Sequence, residues 1–221
     1  NTGYRIAGRD AANYGDIGNN AVDLSISDGT STTRGATGNN STSMGLITAA
    51  SGSGSTAMGG GAEASGDFST AMGAFTTASG DYSTAMGGGA SASGNYSTAM
   101  GRNTTASGFV STATGWNSTA FGTSSTAMGD GTTAFGTSST AMGDGTTASG
   151  DYSTAMGYYA TASGSSSTTI GRYTTAPSFA EMAIGQYNTD YTPAGATSWN
   201  SADRLFVIGN GSSASAKSDA M

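Results

Sequence analysis

Residues 81–101 read DYSTAMGGGASASGNYSTAMG, and this stretch decides the fold. The pentapeptide Ser-Thr-Ala-Met-Gly stands at both ends, and a shorter Ser-Ala-Ser-Gly lies between the two copies. Glycine occupies every seventh position from Gly38 to Gly171, and the residue before it alternates between methionine and, in most coils, serine. The repeat is therefore 14 residues long and consists of two half-repeats of seven.

This period predicts stacked coils of β-strand rather than helices. Two heptads of a coiled coil also span 14 residues, but glycine at every seventh position with Ser and Thr between is poor helix material. Short segments that end in glycine suit a strand followed by a turn. We therefore predict an all-β fold, a parallel β-roll whose 14-residue coils each have two strands and two turns and stack at about 4.8 Å.

The alternation of side chains along a strand predicts which residues lie inside. In Ser-Thr-Ala-Met-Gly, Ser and Ala share one face and Thr and Met share the other. Alanine is constant in both half-repeats, so we place it inside the roll and methionine outside. The opposite placement, with methionine inside, leaves an exposed column of alanine unexplained.

A methionine column on the outside predicts a partner. A roll walled with alanine buries little apolar surface by itself, and closed symmetry covers identical stripes on identical chains. We expect a homotrimer with methionine at its axis, because this flexible side chain fills irregular gaps. The predicted trimer-interface residues are Met58, Met72, Met86, Met100, Met128, Met142, Met156 and Ile170.

Composition excludes several classes of function. The net charge is −7, and no basic stripe is present for phosphates, so no nucleic-acid partner is expected. No apolar run approaches transmembrane length, so we expect no membrane insertion by this segment. The chain has no His, no Cys and a single lysine, Lys217, so no Ser-His or Cys-His nucleophile can be assembled. We predict that the protein is not an enzyme and has no cofactor.

Acidic residues at repeated positions raise the question of a metal site. Asp67 and Asp81 share one repeat position, and Asp130 and Asp144 share another. Stacked carboxylates repel each other and can recruit Ca²⁺. They lie in turn sequences, however, where an aspartate bonds its own backbone and tolerates strained angles. We therefore predict turns and no metal.

Aromatic residues supply the candidate ligand site. Phe121 and Phe135 stand on the outer face, one coil apart, where most coils have serine, and their rings are expected to stack. Trp116 is placed in the turn that enters the strand of Phe121. These three rings form a predicted platform for a sugar ring or an apolar side chain, although a covering loop or the tail after Gly171 explains the two phenylalanines equally well. The predicted polar rim comprises Thr119, Thr133, Asn117, Asp130 and Asp144.

Other aromatics are weaker candidates. Phe68, Tyr82, Tyr96 and Tyr152 precede the Ser-Thr-Ala-Met-Gly strands at one repeated position, and we expect them to pack at the seam between subunits. The remaining exposed-turn candidates are Tyr158, Tyr159 and Tyr173.

The motifs NYSTAMG and TTASGDYSTAMG resemble the head repeats of the YadA-like trimeric autotransporter adhesins. The resemblance spans Gly38 to Gly185 and implies a left-handed parallel β-roll, assembled as a trimer outside the cell. This chain has Thr-Ala-Met where the family favours Val-Ala-Ile, which implies a softer axis in the same register.

The flanks of the repeat region differ from it and predict three segments. Residues 1–37 suit an N-terminal cap or connector, residues 38–171 form the β-roll head, and residues 172–221 contain irregular strands that include RLFVIGNG. The last segment resembles the region ahead of a self-cleaving intramolecular chaperone in fibre proteins of tailed phages and some bacteria, so we expect it to lead toward such a domain.

These observations predict an extracellular adhesin head, on a cell surface or a virion fibre, that attaches to a glycan or surface protein of a target cell. Two alternatives stay open. One is a passive spacer of a surface fibre or phage tail fibre. The other is an ice-binding solenoid, because threonine recurs at one outward position in most coils; its neighbouring column, however, is interrupted by Phe121 and Phe135.

Overall fold

The protein is described by a computed structural model that covers residues 2–220. The chain divides into two compact units, one up to Val110 and one from Ser111 onward. In each unit, five-residue strands alternate with two-residue strands along most of the chain. A 3-10 helix at Ala11–Asn13 interrupts this pattern near the N-terminus.

The strands of the first unit, in chain order, are β1 (Tyr4–Arg5), β2 (Val22–Ile26), β3 (Gly35–Ala36), β4 (Thr42–Leu46), β5 (Ala49–Ala50), β6 (Thr56–Gly60), β7 (Glu63–Ala64), β8 (Thr70–Ala74), β9 (Thr77–Ala78), β10 (Thr84–Gly88), β11 (Ser91–Ala92), β12 (Thr98–Arg102) and β13 (Thr105–Ala106).

The strands of the second unit are β14 (Thr112–Trp116), β15 (Thr119–Ala120), β16 (Thr126–Asp130), β17 (Thr133–Ala134), β18 (Thr140–Asp144), β19 (Thr147–Ala148), β20 (Thr154–Tyr158), β21 (Thr161–Ala162), β22 (Thr168–Arg172), β23 (Thr175–Ala176), β24 (Met182–Gln186) and β25 (Phe206–Asn210).

Each unit has two parallel sheets, one of long strands and one of short strands. In the first unit the long strands follow the order β1-β2-β4-β6-β8-β10-β12, and in the second β14-β16-β18-β20-β22-β24-β25. Met86 lies opposite Met72 on one side and Met100 on the other, which is a register of one 14-residue repeat. The predicted parallel β-solenoid with 14-residue coils is therefore confirmed, whereas its handedness stays a prediction.

The interior of each coil is filled by small side chains from both sheets. Ala85 on β10 and Ala92 on β11 have no exposed surface, and Ser83 is buried beside them. Where a buried serine needs a partner, a local carbonyl supplies it, as when the Ser69 hydroxyl donates to the Gly66 carbonyl at 2.7 Å. The prediction that alanine lies inside is confirmed, and the opposite placement is wrong.

The N-terminal coils are longer than the repeat. Tyr4 pairs with Val22 and Val22 with Thr42, so these coils contain 18 and 20 residues. Their interior holds Tyr14, which is 5% exposed and lies under the Arg5 guanidinium at 4.7 Å. The long-strand sheet thus extends into residues 1–37, where larger side chains close its end.

The C-terminal coils also depart from the repeat. Strands β24 and β25 continue the long-strand sheet beyond residue 171, in the same parallel sense. Glu181 is fully buried there and accepts hydrogen bonds from Arg204 Nε at 2.6 Å and from the Ser178 hydroxyl at 2.7 Å. The tail then returns antiparallel to β25, where Ala220 N–H donates to the Ile208 carbonyl.

Candidate functional site

Methionine columns lie on the outer face of the long-strand sheet in both units. In the first unit, Met72, Met86 and Met100 are in register on β8, β10 and β12. In the second, Met128 and Met142 are in register and Thr114 takes the methionine position on β14. Met100 is 39% exposed, so a continuous apolar stripe faces outward. The full set of predicted interface residues, Met58, Met72, Met86, Met100, Met128, Met142, Met156 and Ile170, occupies this strand position.

Phe121 and Phe135 form the predicted aromatic pair on the outer face of the short-strand sheet. Their ring centroids are 4.9 Å apart and the ring planes differ by 4°. Each follows a short strand whose threonine, Thr119 or Thr133, points to the same face two residues earlier. Both rings are about half exposed, so their stacked edges and the two threonine side chains form one outward surface.

Trp116 does not lie where the sequence predicted it. It is the last residue of the long strand β14, in register with Asp130, and not part of the turn that enters β15. Asp144 follows Asp130 in the same column, and Asn117 forms the corner with a φ of 50°. The structure therefore groups Trp116 with Asn117 and the two aspartates at the end of the long strands, and it groups the two phenylalanines with the threonines on the other sheet.

A second aromatic cluster surrounds Arg172. The guanidinium lies 5.8, 5.5 and 5.2 Å from the ring centroids of Tyr158, Tyr173 and Tyr187. Tyr159 stacks on Tyr173 at 5.3 Å. Burial among these rings, followed by the proximity of Tyr158, raises the pKa of the Tyr173 phenol above its usual 10.0.

Sequence reasoning named three of these tyrosines and missed Arg172 and Tyr187. The 14-residue spacing from Tyr159 through Tyr173 to Tyr187 was the signal that identifies the column, and Arg172 is adjacent to it in sequence.

The family comparison agrees with this geometry. The model for the YadA head domain repeat matches residues 50–76, 78–104, 106–132, 122–146, 134–160 and 148–174, which together make up more than half of the chain. The chain belongs to the YadA head repeat family. It is thus an adhesin-like head of the trimeric autotransporter type, a surface-exposed and non-enzymatic class. No curated protein matches the chain. Among residues 2–220, no helix has both the length and the apolar character that a membrane span requires.

The YadA-type head has a ladder of aromatic rings at the corner that precedes each long strand. Phe68 and Tyr82 stack at 5.1 Å, and Tyr82 and Tyr96 stack at 5.0 Å with nearly parallel planes. All three are about half exposed and have positive φ. Tyr152 holds the same position in the second unit, with 65% of its surface exposed. Their packing at a subunit seam stays a prediction.

The aspartates beside this ladder have a structural partner that the sequence did not identify. Asp67 Oδ1 accepts the backbone N–H of Ser53 at 2.8 Å, and Asp81 Oδ1 accepts that of Asp67 at 3.0 Å. Each carboxylate therefore bonds the preceding coil, and the predicted bond to its own backbone is wrong. Within residues 2–220, no group of three or more His, Cys, Asp or Glu side chains is placed to hold a metal ion.

Proposed function

We propose that this YadA-type head attaches to a glycan or protein on a target cell through aromatic rings on its outer surface. The observation that carries the proposal is the stacked and half-exposed pair Phe121 and Phe135. Two apolar rings held rigidly on a strand, with threonine hydroxyls beside them, suit the faces of a sugar ring or an apolar side chain.

Three copies of the chain associate through the methionine stripe in this proposal. The stripe is apolar, in register and partly exposed, and threefold closure places identical side chains against one another. Each aromatic surface then occurs three times, and simultaneous contacts raise the avidity of individually weak sites.

The alternatives have less support. A passive spacer gives no role to large apolar rings in place of serine on an outer face. An ice-binding face needs flat, uninterrupted columns, but the threonine column has Glu63 and Ser91 in register with Thr77, and Phe121 and Phe135 project beside it. The resemblance of the C-terminal segment to the region ahead of an intramolecular chaperone stays a prediction.

Fluorescent beads coated with the chain test attachment, with cultured epithelial cells and bacterial cells as the two targets. The double variant Phe121→Ser, Phe135→Ser is expected to weaken attachment at least about tenfold, because each buried aromatic contact contributes on the order of 1 kcal/mol and avidity multiplies the loss. Its unfolding midpoint stays near that of the wild type, because both rings lie outside the alanine interior.

The variant Trp116→Ser is the matched comparison, since Trp116 has similar exposure but lies on the other sheet. Equal attachment by the wild type and the double phenylalanine variant contradicts the assignment of the site. A double variant that unfolds or changes its oligomeric state shows that the rings are structural.

A further inference from the structure

A cleft opens at one corner of the first unit, where a single coil lacks side chains at two successive positions. Gly88 ends strand β10 and Gly89 forms the corner after it. The coils on either side carry side chains at these positions, which leaves a cleft of about 470 Å³ between them. This volume falls in the range of small-molecule sites. The cleft is lined by Ala74, Phe75, Gly88, Gly89, Arg102 and Asn103.

Glycine at position 88 is not required by the backbone. Gly88 lies in register with Ala74 and Arg102, so this strand position accepts a side chain in the adjacent coils. A Cβ atom added to Gly88 meets no atom within 4 Å, and its φ lies outside the region that favours glycine. The absence of a side chain here therefore creates open space without serving the fold.

The two walls of the cleft differ in chemistry. Phe75 is 77% exposed, and its ring leans over Gly61 of the preceding coil, away from Gly89. On the other side stand the guanidinium of Arg102 and the carboxamide of Asn103. Between Arg34 and Arg204 the only basic residues of the sequence are Arg102 and Arg172. The Arg102 guanidinium has no ion pair or hydrogen bond with any part of residues 2–220.

The spacing of the walls fits one ring-shaped ligand. Phe75 and Asn103 belong to coils two repeats apart, which corresponds to about 10 Å along the stack. A ring in van der Waals contact with both walls needs about 7–8 Å. The corner and strand-end positions of the cleft include no Asp or Glu from Leu46 to Asn103, so Arg102 sets a positive local potential in an otherwise acidic chain.

We infer that this cleft binds an acidic sugar residue of a glycan chain, with its carboxylate paired to Arg102. The apolar face of a pyranose packs against Phe75, the guanidinium donates two hydrogen bonds to the carboxylate, and the Asn103 carboxamide bonds a hydroxyl group. The inference rests on the proposed attachment function, for which it names a ligand class and a second contact site.

The test uses the whole chain on a microarray of uronic-acid and sialic-acid oligosaccharides, each paired with its carboxyl-reduced counterpart. Wild-type chain is expected to bind at least one acidic glycan and to bind the reduced counterpart about tenfold more weakly, because one charge-assisted pair is lost. Gly88→Tyr fills the cleft and abolishes this binding. Arg102→Gln removes the preference for the acid, and Arg102→Lys keeps part of it.

The control variant is Gly60→Tyr. Gly60 holds the same strand position two coils earlier, and a Cβ atom there also meets nothing within 4 Å. It is expected to bind like the wild type. The inference is overturned by a wild-type chain that binds no acidic glycan, by unchanged binding in Gly88→Tyr, or by a change in oligomeric state that Gly88→Tyr shows and Gly60→Tyr does not. The last result identifies the cleft as a subunit contact.

The bead assay separates this inference from the attachment function itself. Beads that attach to cells while the array shows no acidic-glycan binding overturn the cleft assignment and leave attachment standing. Acidic-glycan binding without bead attachment has the opposite meaning.

Discussion

A Cβ atom added to Gly87 would lie 2.1 Å from the carbonyl oxygen of Gly101 in the next coil. The same close approach recurs along the column, where Gly73 meets the carbonyl oxygen of Gly87 at 2.0 Å. Gly87 also has a φ of 122°, which residues with a side chain rarely adopt. The glycine after each methionine is therefore fixed both by the backbone angle and by the distance between coils.

The variant Gly87→Ala is expected to lower the free energy of unfolding by about 2 kcal/mol or more, because the methyl group strains the backbone and separates two coils. Chemical denaturation of the purified chain measures the change. Gly88→Ala, one residue away with open space at its Cβ position, is the control and should differ little from the wild type. Similar midpoints for the two variants would falsify this account of the glycine column.

Charges introduced into the methionine stripe are expected to prevent assembly. The double variant Met86→Asp, Met100→Asp places six carboxylates near the axis of the proposed trimer, and an unpaired buried charge costs several kcal/mol. Light scattering at micromolar concentration should report a trimer for the wild type and a smaller species for the variant. The same charges at Thr77 and Thr105, on the outer face of the other sheet, should leave the trimer intact. A monomeric wild type, or a trimeric methionine variant, contradicts the proposed assembly.

The aspartate ladder is expected to stabilise the turns without a metal ion. Asp81→Ala removes the acceptor for the Asp67 N–H and should cost about 0.5–1 kcal/mol of unfolding free energy. Asp81→Asn keeps an acceptor oxygen and should cost less, as the natural Asn95 does the same for Asp81. Chelation by EDTA should leave the wild-type denaturation midpoint unchanged. A loss of stability in EDTA would instead indicate an ion site at Asp67 and Asp81 or at Asp130 and Asp144.

The C-terminal coil predicts one specific dependence on acid. A hydrogen bond from the Tyr191 hydroxyl lowers the pKa of Asp203 below its usual 3.8, and the N–H groups of Ala194 and Gly195 add to the effect at 2.7 Å each. A carboxylate whose folded pKa is depressed contributes stability above the unfolded value, and this contribution is lost as the pH falls through the folded value. The loss due to Asp203 therefore lies below about pH 4.

Asp203→Asn removes this titration. Its unfolding midpoint should lie below that of the wild type at neutral pH, and the two should converge below about pH 4. Parallel curves for the two proteins across this range would show that Asp203 does not carry the acid dependence.

Much of the fold follows from the sequence, because the constraint repeats. A period of 14 with alanine at one parity and methionine at the other fixes the coil length, the interior and the outer stripe. The stacking of Phe121 on Phe135 follows for the same reason, since residues 14 apart are neighbours in adjacent coils. Each of these relationships needs only sequence distance and the alternation of side chains.

The period carries no information where it breaks. Tyr14 and the Arg5–Asp23 pair at 2.7 Å close the N-terminal coils, and no repeated position identifies them in advance. Trp116 was misplaced for a related reason, because the sequence does not show whether the long strand ends before or after the residue that follows its glycine.

The sequence by itself determined the coil, the residues inside it and the columns on its surface, because strand periodicity and the glycine spacing act on every repeat alike. Only the tertiary structure decided which way individual side chains lean. Phe75 lies back over Gly61 and Asn103 over Gly89, and the cleft above Gly88 exists because Phe75 leans away from it. The direction of each side chain depends on its rotamer and on the space left by a neighbour 14 residues away, which no local pattern encodes.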